Sequence, residues 1–315
     1  MTEPLARLEL ELVATTYSAY IRYHPQMSWF HEYLACPDCQ RPITGGPEAE
    51  CACGFRIPVG SPLDLRPQRP VMRSATFTIG SNVQRDLLNV ELDRPKVTYN
   101  GPEAERDSRE LFSAAEPWLV RNKRLLDLGC GPRDQAAPAA HCGLEYVGVD
   151  FSSSVADLLA DAHAIPFRSA TFDIVLSYAV LEHLYNPFLA IGEISRVLKT
   201  GGMFVGTVSQ GEPFHDSYFH HTSWGLLMIL RSGNLEPRRI WPSYDTLHAL
   251  ARMGRYARAH RALLEVVYRT ISATPFFAPR RFFNWSKRER QVDALHKAAS
   301  VCFVAVKTPS REGAG

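Results

Sequence analysis

Leu125-Leu126-Asp127-Leu128-Gly129-Cys130-Gly131-Pro132 decides the fold class of this chain. An apolar run ends in an acid and then in two glycines one residue apart. That is the pattern of a buried parallel strand leaving its sheet through a turn poor in side chains and entering a helix. Such a turn lets backbone approach a nucleotide-like ligand at the carboxyl end of the sheet. Downstream, Glu145-Tyr146-Val147-Gly148-Val149-Asp150 is a short β-rich run closed by a carboxylate. In a doubly wound sheet this spacing puts Asp150 at the tip of the second strand, beside a ligand's ribose, where a carboxylate accepts hydrogen bonds from a diol. A dinucleotide fingerprint needs a third glycine; Arg133-Asp134 stands there instead, which disfavours a dehydrogenase.

Three further segments follow in order. The first is Asp161-Ala162-His163-Ala164-Ile165-Pro166-Phe167. The second is a strand, Phe172 to Tyr178, running into Leu181-Glu182-His183-Leu184. The third, Glu193-Ile194-Ser195-Arg196-Val197-Leu198-Lys199-Thr200-Gly201-Gly202, reads as a helix closed by glycines ahead of a strand over Met203 to Val208. Taken together, these residues resemble the class I S-adenosylmethionine-dependent methyltransferases, in particular the subgroup with Asp-Ala-His-x-(Leu/Ile)-Pro-Phe, Glu-His-Leu and Arg-Val-Leu-Lys-x-Gly-Gly signatures. The resemblance covers roughly residues 100–245, with a last strand near 301–307. It implies an α/β fold: a doubly wound, Rossmann-like, seven-stranded methyltransferase sheet.

The cofactor implied is S-adenosylmethionine. Gly129 and Gly131 leave room for its amino-acid portion and Asp127 sits below its ammonium, unless Asp127 only orders its own loop. Asp150 takes the ribose hydroxyls, and Phe151 packs against adenine or belongs to the core. In the resembled pattern Asp161 accepts from the adenine amino group, and the Ala162 backbone flanks the ring. Ser177 and Tyr178 end the fourth strand, where ligands bind in open α/β sheets. Because histidine titrates near neutrality, His183, His215 and His220 are the candidates for a general base. Each has a plainer alternative: His183 as a loop-fixing residue, His215 and His220 as part of a solvent-facing segment.

Seven cysteines are present, and four cluster as Cys36-x-x-Cys39, eleven residues, then Cys51-x-Cys53. In a reducing compartment such clustering reads as metal ligation before disulfides. The stretch also resembles a Trm112-like zinc ribbon, including Phe55-Arg56-Ile57-Pro58 and Pro62-Leu63-Asp64-Leu65. That implies structural zinc on four thiolates, a closed site with no open position for catalysis. The alternative is a degenerate ribbon folded by packing on the large domain.

The organisation expected is a helical lead-in over residues 1–30, a zinc-ribbon-like unit over 31–70 and a linker over 71–101. The methyltransferase domain follows over 102–310, with a helical insertion at about 244–298 before the last strand. Only ten residues separate Asp150 from Asp161, so a truncated helix and part of the third strand are expected there. Composition is ordinary globular, 45% apolar and 22% charged with net charge +2, which predicts no strong global field. The amino terminus lacks a signal pattern and no apolar run is long enough to span a bilayer, so a soluble, cytoplasmic protein is expected. Three functions compete. The favoured one is methylation of a small molecule: a secondary metabolite, a lipid or a sugar intermediate. The second is a ribosomal RNA base methyltransferase, with Arg252, Arg255, Arg258 and Arg261 as a basic stripe; the near-neutral charge weighs against it. The third is a cofactor-binding regulatory partner without turnover. The acceptor atom and the oligomeric state are not legible.

Overall fold

The computed structural model describes residues 29–43, 50–58, 60–74, 91–92, 121–212, 216–243 and 286–309, with isolated positions between 246 and 270. The lead-in helix, the start of the 102–310 domain up to residue 120, the arginine stripe, His215 and most of the 244–298 insertion lie outside the described residues.

Among the described residues nine strands form one sheet: β1 (Leu63–Asp64), β2 (Glu91–Leu92), β3 (Arg124–Leu128), β4 (Glu145–Asp150), β5 (Leu158–Leu159), β6 (Phe172–Tyr178), β7 (Leu198–Ser209), β8 (Leu235–Pro242) and β9 (Ser300–Lys307). Their order is β1-β5-β4-β3-β6-β7-β9-β8-β2. The inner run from β5 to β8 is the seven-stranded sheet expected from sequence. The two-residue strands β1 and β2 extend it at either edge. Every pair is parallel except those of β9, which runs antiparallel to β7 and β8. Such a sheet buries both faces, which explains the near-continuous apolar strands. Leu125 and Leu126 alternate accordingly: Leu126 packs with Val147, Val175 and Phe204 on one face, Leu125 with Tyr146 and Ile174 on the other.

Helix α1 (Ala136–His141) covers the Leu125 face. Helices α2 (Pro187–Val197) and α3 (Ser223–Ser232) cover the other through Ile191, Ile194, Leu226 and Leu230. The start of α2 is set by Asn186, whose side chain accepts from Leu189 N–H, with Pro187 in the first turn. Thr222 caps α3, its side chain accepting from Gly225 N–H, and Gly233 ends it. A fourth helix, α4 (Lys287–His296), opens with a Ser286–Glu289 capping box and leads into β9.

Two local expectations are corrected. No helix lies between β4 and β5: the Asp150 carboxylate draws in the Ser152 and Ser153 N–H groups, and the connection is turns alone. Gly201 and Gly202 do not close a helix either. Helix α2 stops at Val197, and the glycines lie within β7, where the pairing with β6 slips between Phe172–Leu198 and Ile174–Met203.

The cysteine segment shares the large core. Phe30, Leu34, Ile43, Phe55, Ile57 and Leu65 are buried in the same cluster as Leu126 and Phe204. Burying Phe55 or Leu65 contributes about 1.5–3 kcal/mol each. Leu34 bridges to Phe167, Ala35 N–H donates to the Pro166 carbonyl (3.0 Å), and Gln40 Nε2 donates to Glu193 Oε1 on α2 (3.0 Å).

Candidate functional site

Gly129 and Gly131 adopt φ of +74° and +48°, the left-handed region, in the turn that leaves β3. A Cβ on Gly129 would collide with the Val180 side chain. Asp134 stands at the third fingerprint position, and before it comes Arg133, itself at φ +67°. Its guanidinium pays back that conformation by binding Asp157 (2.9 Å) and lying over the Tyr146 ring (5.4 Å).

Asp127 is buried beneath this turn, its Oδ2 accepting from Tyr146 Oη at 2.8 Å. Burial pushes its pKa up to about 7; the Tyr146 bond and the Arg133 charge oppose the shift, and Asp134 and Asp150 add to it. Asp150, at the tip of β4, accepts from three backbone donors: Gly131 N–H (3.0 Å), Ser152 N–H (2.8 Å) and Ser153 N–H (2.9 Å). It ties the glycine turn to the next loop and keeps roughly one of its four lone-pair positions for a ligand. Phe151 is not core: it is 59% exposed at the same edge.

Asp161 accepts from both the backbone (2.9 Å) and the Nδ1 (2.6 Å) of His163. His163 Nε2 accepts from Asn186 N–H (3.3 Å), which leaves Nδ1 to donate to Asp161. Burial disfavours the Asp161 carboxylate, but the His163 bonds outweigh it and hold the pKa below the usual range. Tyr185 stacks on His163 at 4.1 Å. The Ala162 residue is buried alongside. The Ile165-Pro166-Phe167 stretch is clamped from α2: Glu193 accepts from Ile165 N–H, and Arg196 donates to the Ile165 and Phe167 carbonyls. This is why the two distant sequence segments occur together.

Ser177 and Tyr178 end β6, and Ala179 beyond them sits at φ +53°, a left-handed turn that costs an alanine about 1 kcal/mol. Past it Glu182 is fully buried, its Oε1 accepting from Ser209 N–H (3.0 Å) and its carbonyl from Tyr218 and Phe219 N–H. Burial lifts Glu182 to about pKa 7, the Ser209 N–H opposing and Glu212 adding. Those backbone bonds bring the segment around His220 against the turn carrying His183; both histidines are exposed. The buried histidine of this segment is His221, pushed below the usual range by burial against an opposing bond to Leu181. Its Nε2 and the buried hydroxyls of Ser177, Thr207 and Ser209 have no hydrogen-bond partner among the described residues. A polar edge with unsatisfied buried groups fits a ligand-binding edge. Sequence reasoning passed over Glu182 and His163 as site residues, although both stand inside the quoted motifs.

Residues 126–206 match the family described as a methyltransferase domain. Over those residues the chain is similar to a methyltransferase domain. The demethylmenaquinone methyltransferase of Renibacterium salmoninarum is 30% identical over 151 residues, 41% of this chain and 64% of that protein. A ubiquinone biosynthesis O-methyltransferase of Cereibacter sphaeroides is 32% identical over 112 residues, 31% of this chain and 45% of that protein. The chain thus spans less than two thirds of these curated relatives. Among solved structures, the 1,6-didemethyltoxoflavin-N1-methyltransferase of Burkholderia thailandensis superposes at TM-score 0.41 with 14% identity, covering 65% of this chain and 83% of that one. No helix among the described residues is long and apolar enough to cross a membrane.

Outside the matched region, the sulfurs of Cys36, Cys39, Cys51 and Cys53 lie within 4.8 Å of one another, with Cys36–Cys53 and Cys39–Cys51 at 3.5 Å. Tetrahedral zinc with ~2.3 Å bonds needs sulfurs roughly 3.8 Å apart. The Cys-x-Cys second pair therefore meets the first despite its short spacing. Backbone N–H groups of Asp38 and Cys39 point at Cys36 sulfur, that of Cys53 at Cys51, and that of Phe55 at Cys53, as thiolates require.

Proposed function

We propose that the chain is an S-adenosylmethionine-dependent methyltransferase that acts on a small-molecule acceptor. The observation that carries this reading is the Asp150 carboxylate, which joins the glycine turn to the loop after β4 at the edge where Asp127 and Asp161 also converge. Asp127 would counter the cofactor's ammonium, Gly129 and Gly131 would admit its amino-acid end, and Asp150 would accept from the ribose. Phe151, Asp161 and Ala162 would flank the adenine, and Ser177 and Tyr178 would face the sulfonium. The cofactor supplies an electrophilic methyl group.

Two relatives are named for quinone-related substrates, which favours a phenolic or enolic small molecule over RNA. An oxygen acceptor loses its proton as the methyl carbon–oxygen bond forms and the carbon–sulfur bond breaks, the electron pair returning to sulfur. His183 and His220, brought to one edge, are the proposed proton acceptors; His215 stays a sequence-based candidate. For the cysteine cluster we propose one structural zinc ion that stabilises the ribbon and takes no part in transfer.

Calorimetric titration with S-adenosylhomocysteine tests the core of this. One-to-one micromolar binding is the expected result, and no binding by folded protein removes the reading. Methyl transfer from labelled cofactor is then expected with quinol-type acceptors and not with ribosomal RNA; salt-dependent transfer to RNA would reverse that choice. Metal analysis should find about one zinc per chain.

A further inference from the structure

The cysteine segment reaches the same edge as the cofactor loops. Strand β1 pairs in parallel with β5, and Leu65 N–H continues the ladder to the Leu159 carbonyl at 2.8 Å. The next residue, Arg66, is therefore level with the start of Asp161-Ala162. Ala160 N–H donates to the Asp150 carbonyl (2.9 Å), so the chain after β5 and the chain after β4 leave the sheet side by side. Arg66 closes the gap between them: its guanidinium carbon lies 5.5 Å from the Phe151 ring centroid and Nη1 donates to the Phe151 carbonyl at 3.3 Å. The group does not swing freely, because Nε and Nη2 hold both oxygens of Asp64, at 2.9 and 2.5 Å. With all three of its nitrogens held in this way, the planar guanidinium is fixed in orientation and offers its face, the part that stacks on aromatic rings. Phe151 is 59% exposed and the Arg66 side chain 36%, so this pair is open to a ligand.

We infer that Arg66, presented by the ribbon, forms with Phe151 the outer wall against the purine ring of the cofactor; this rests on the methyltransferase reading above. The ribbon thereby becomes part of the cofactor site. Its grip on Arg66 runs through the first cysteine knuckle. Asp38, between Cys36 and Cys39, accepts from Gln68 N–H (3.3 Å) and pairs with Arg69 (3.1 Å), and Arg73 donates to the Pro37 and Asp38 carbonyls. The segment carrying Arg66 is anchored on one side to the sheet and on the other to the cysteine loop.

The test is calorimetric titration of full-length wild type, Arg66→Ala and Arg66→Lys with S-adenosylhomocysteine and, separately, adenosine, with the melting temperature of each ligand-free protein as the control for folding. Arg66→Ala is expected to weaken both ligands by the same factor, roughly three- to tenfold, because the lost contact is to the base they share. Arg66→Lys, which keeps the charge and loses the plane, should weaken both as well, and in turnover the cofactor KM should rise while kcat holds. Wild-type affinity in both variants, or weakening of S-adenosylhomocysteine alone, overturns the inference. Absence of binding by wild type overturns the methyltransferase reading instead, and this one with it. If Arg66→Ala fails to fold, the lysine variant decides alone.

Discussion

The Asp127 carboxyl, buried against Tyr146 with its pKa near 7, keeps its proton in the folded protein over a range where the unfolded chain has lost it. Folded-state binding of that proton means stability present at pH 4 and lost progressively as pH rises to about 7, with no further change from this group above that. A shift of this size corresponds to something on the order of 4 kcal/mol. Glu182, raised in the same way to about 7, adds to the same window. Denaturant titrations of the ligand-free protein between pH 4 and 8 should show the decline, and Asp127→Asn should flatten part of it. If the carboxylate meets the cofactor's ammonium, S-adenosylhomocysteine affinity rises from pH 6 to 8 in wild type and stays level in Asp127→Asn. Asp150→Ala has a different signature. It removes the acceptor of three N–H bonds, so both the loop and the affinity suffer, by at least ~1–3 kcal/mol in binding; unchanged affinity would contradict the placement of Asp150 at the ribose. At this scale the sequence announced which carboxylates converge, because motif order fixes strand ends. It could not announce that Asp150 spends most of its acceptor capacity on its own backbone, since that depends on how the turn after β4 curls.

Helix α2 shows how an element serves a loop on the far side of the sheet's edge. Glu193 is 6% exposed and holds Ile165 N–H, Arg196 and the ribbon's Gln40, while Arg196 takes the Ile165 and Phe167 carbonyls. Removing one member leaves the other buried and uncompensated, so Arg196→Ala is expected to cost about 3–5 kcal/mol of stability in chemical denaturation. A cost under ~1 kcal/mol would show that the clamp is not formed in solution. Strand and helix identities were legible where the apolar period was unbroken, as in β3, β4, β6 and α3. They failed at the start of β7, where two glycines mimic a helix stop, because Gly201 at φ +78° serves a register slip that only the pairing with β6 reveals. The stretch between β4 and β5 failed for a related reason: an Asp150-centred turn consumes the residues a helix needs.

At the scale of the whole molecule, the cysteine segment and the sheet share one hydrophobic core, in which Phe55, Ile57 and Leu65 are buried with Val175 and Phe204. Chelation of the proposed zinc, or Cys39→Ser, is therefore expected to lower the melting temperature of the entire protein in one transition rather than release a small unit ahead of it. Two resolved transitions in calorimetry would separate the bodies. Cysteine spacing singled out the four-sulfur cluster, but not the attachment of its segment to the sheet, because Leu34, Leu63 and Leu65 are too few to declare a strand or a docking face from sequence. That attachment has a further consequence. A parallel sheet that stopped at β5 would present an unpaired row of N–H and C=O groups to other chains, the template on which proteins add strands to one another. The Leu63–Leu65 segment occupies that row. Self-association of a chain in which Leu63 and Leu65 are replaced by proline, measured by light scattering against the parent at the same concentration, would reveal this segment as a guard against aggregation.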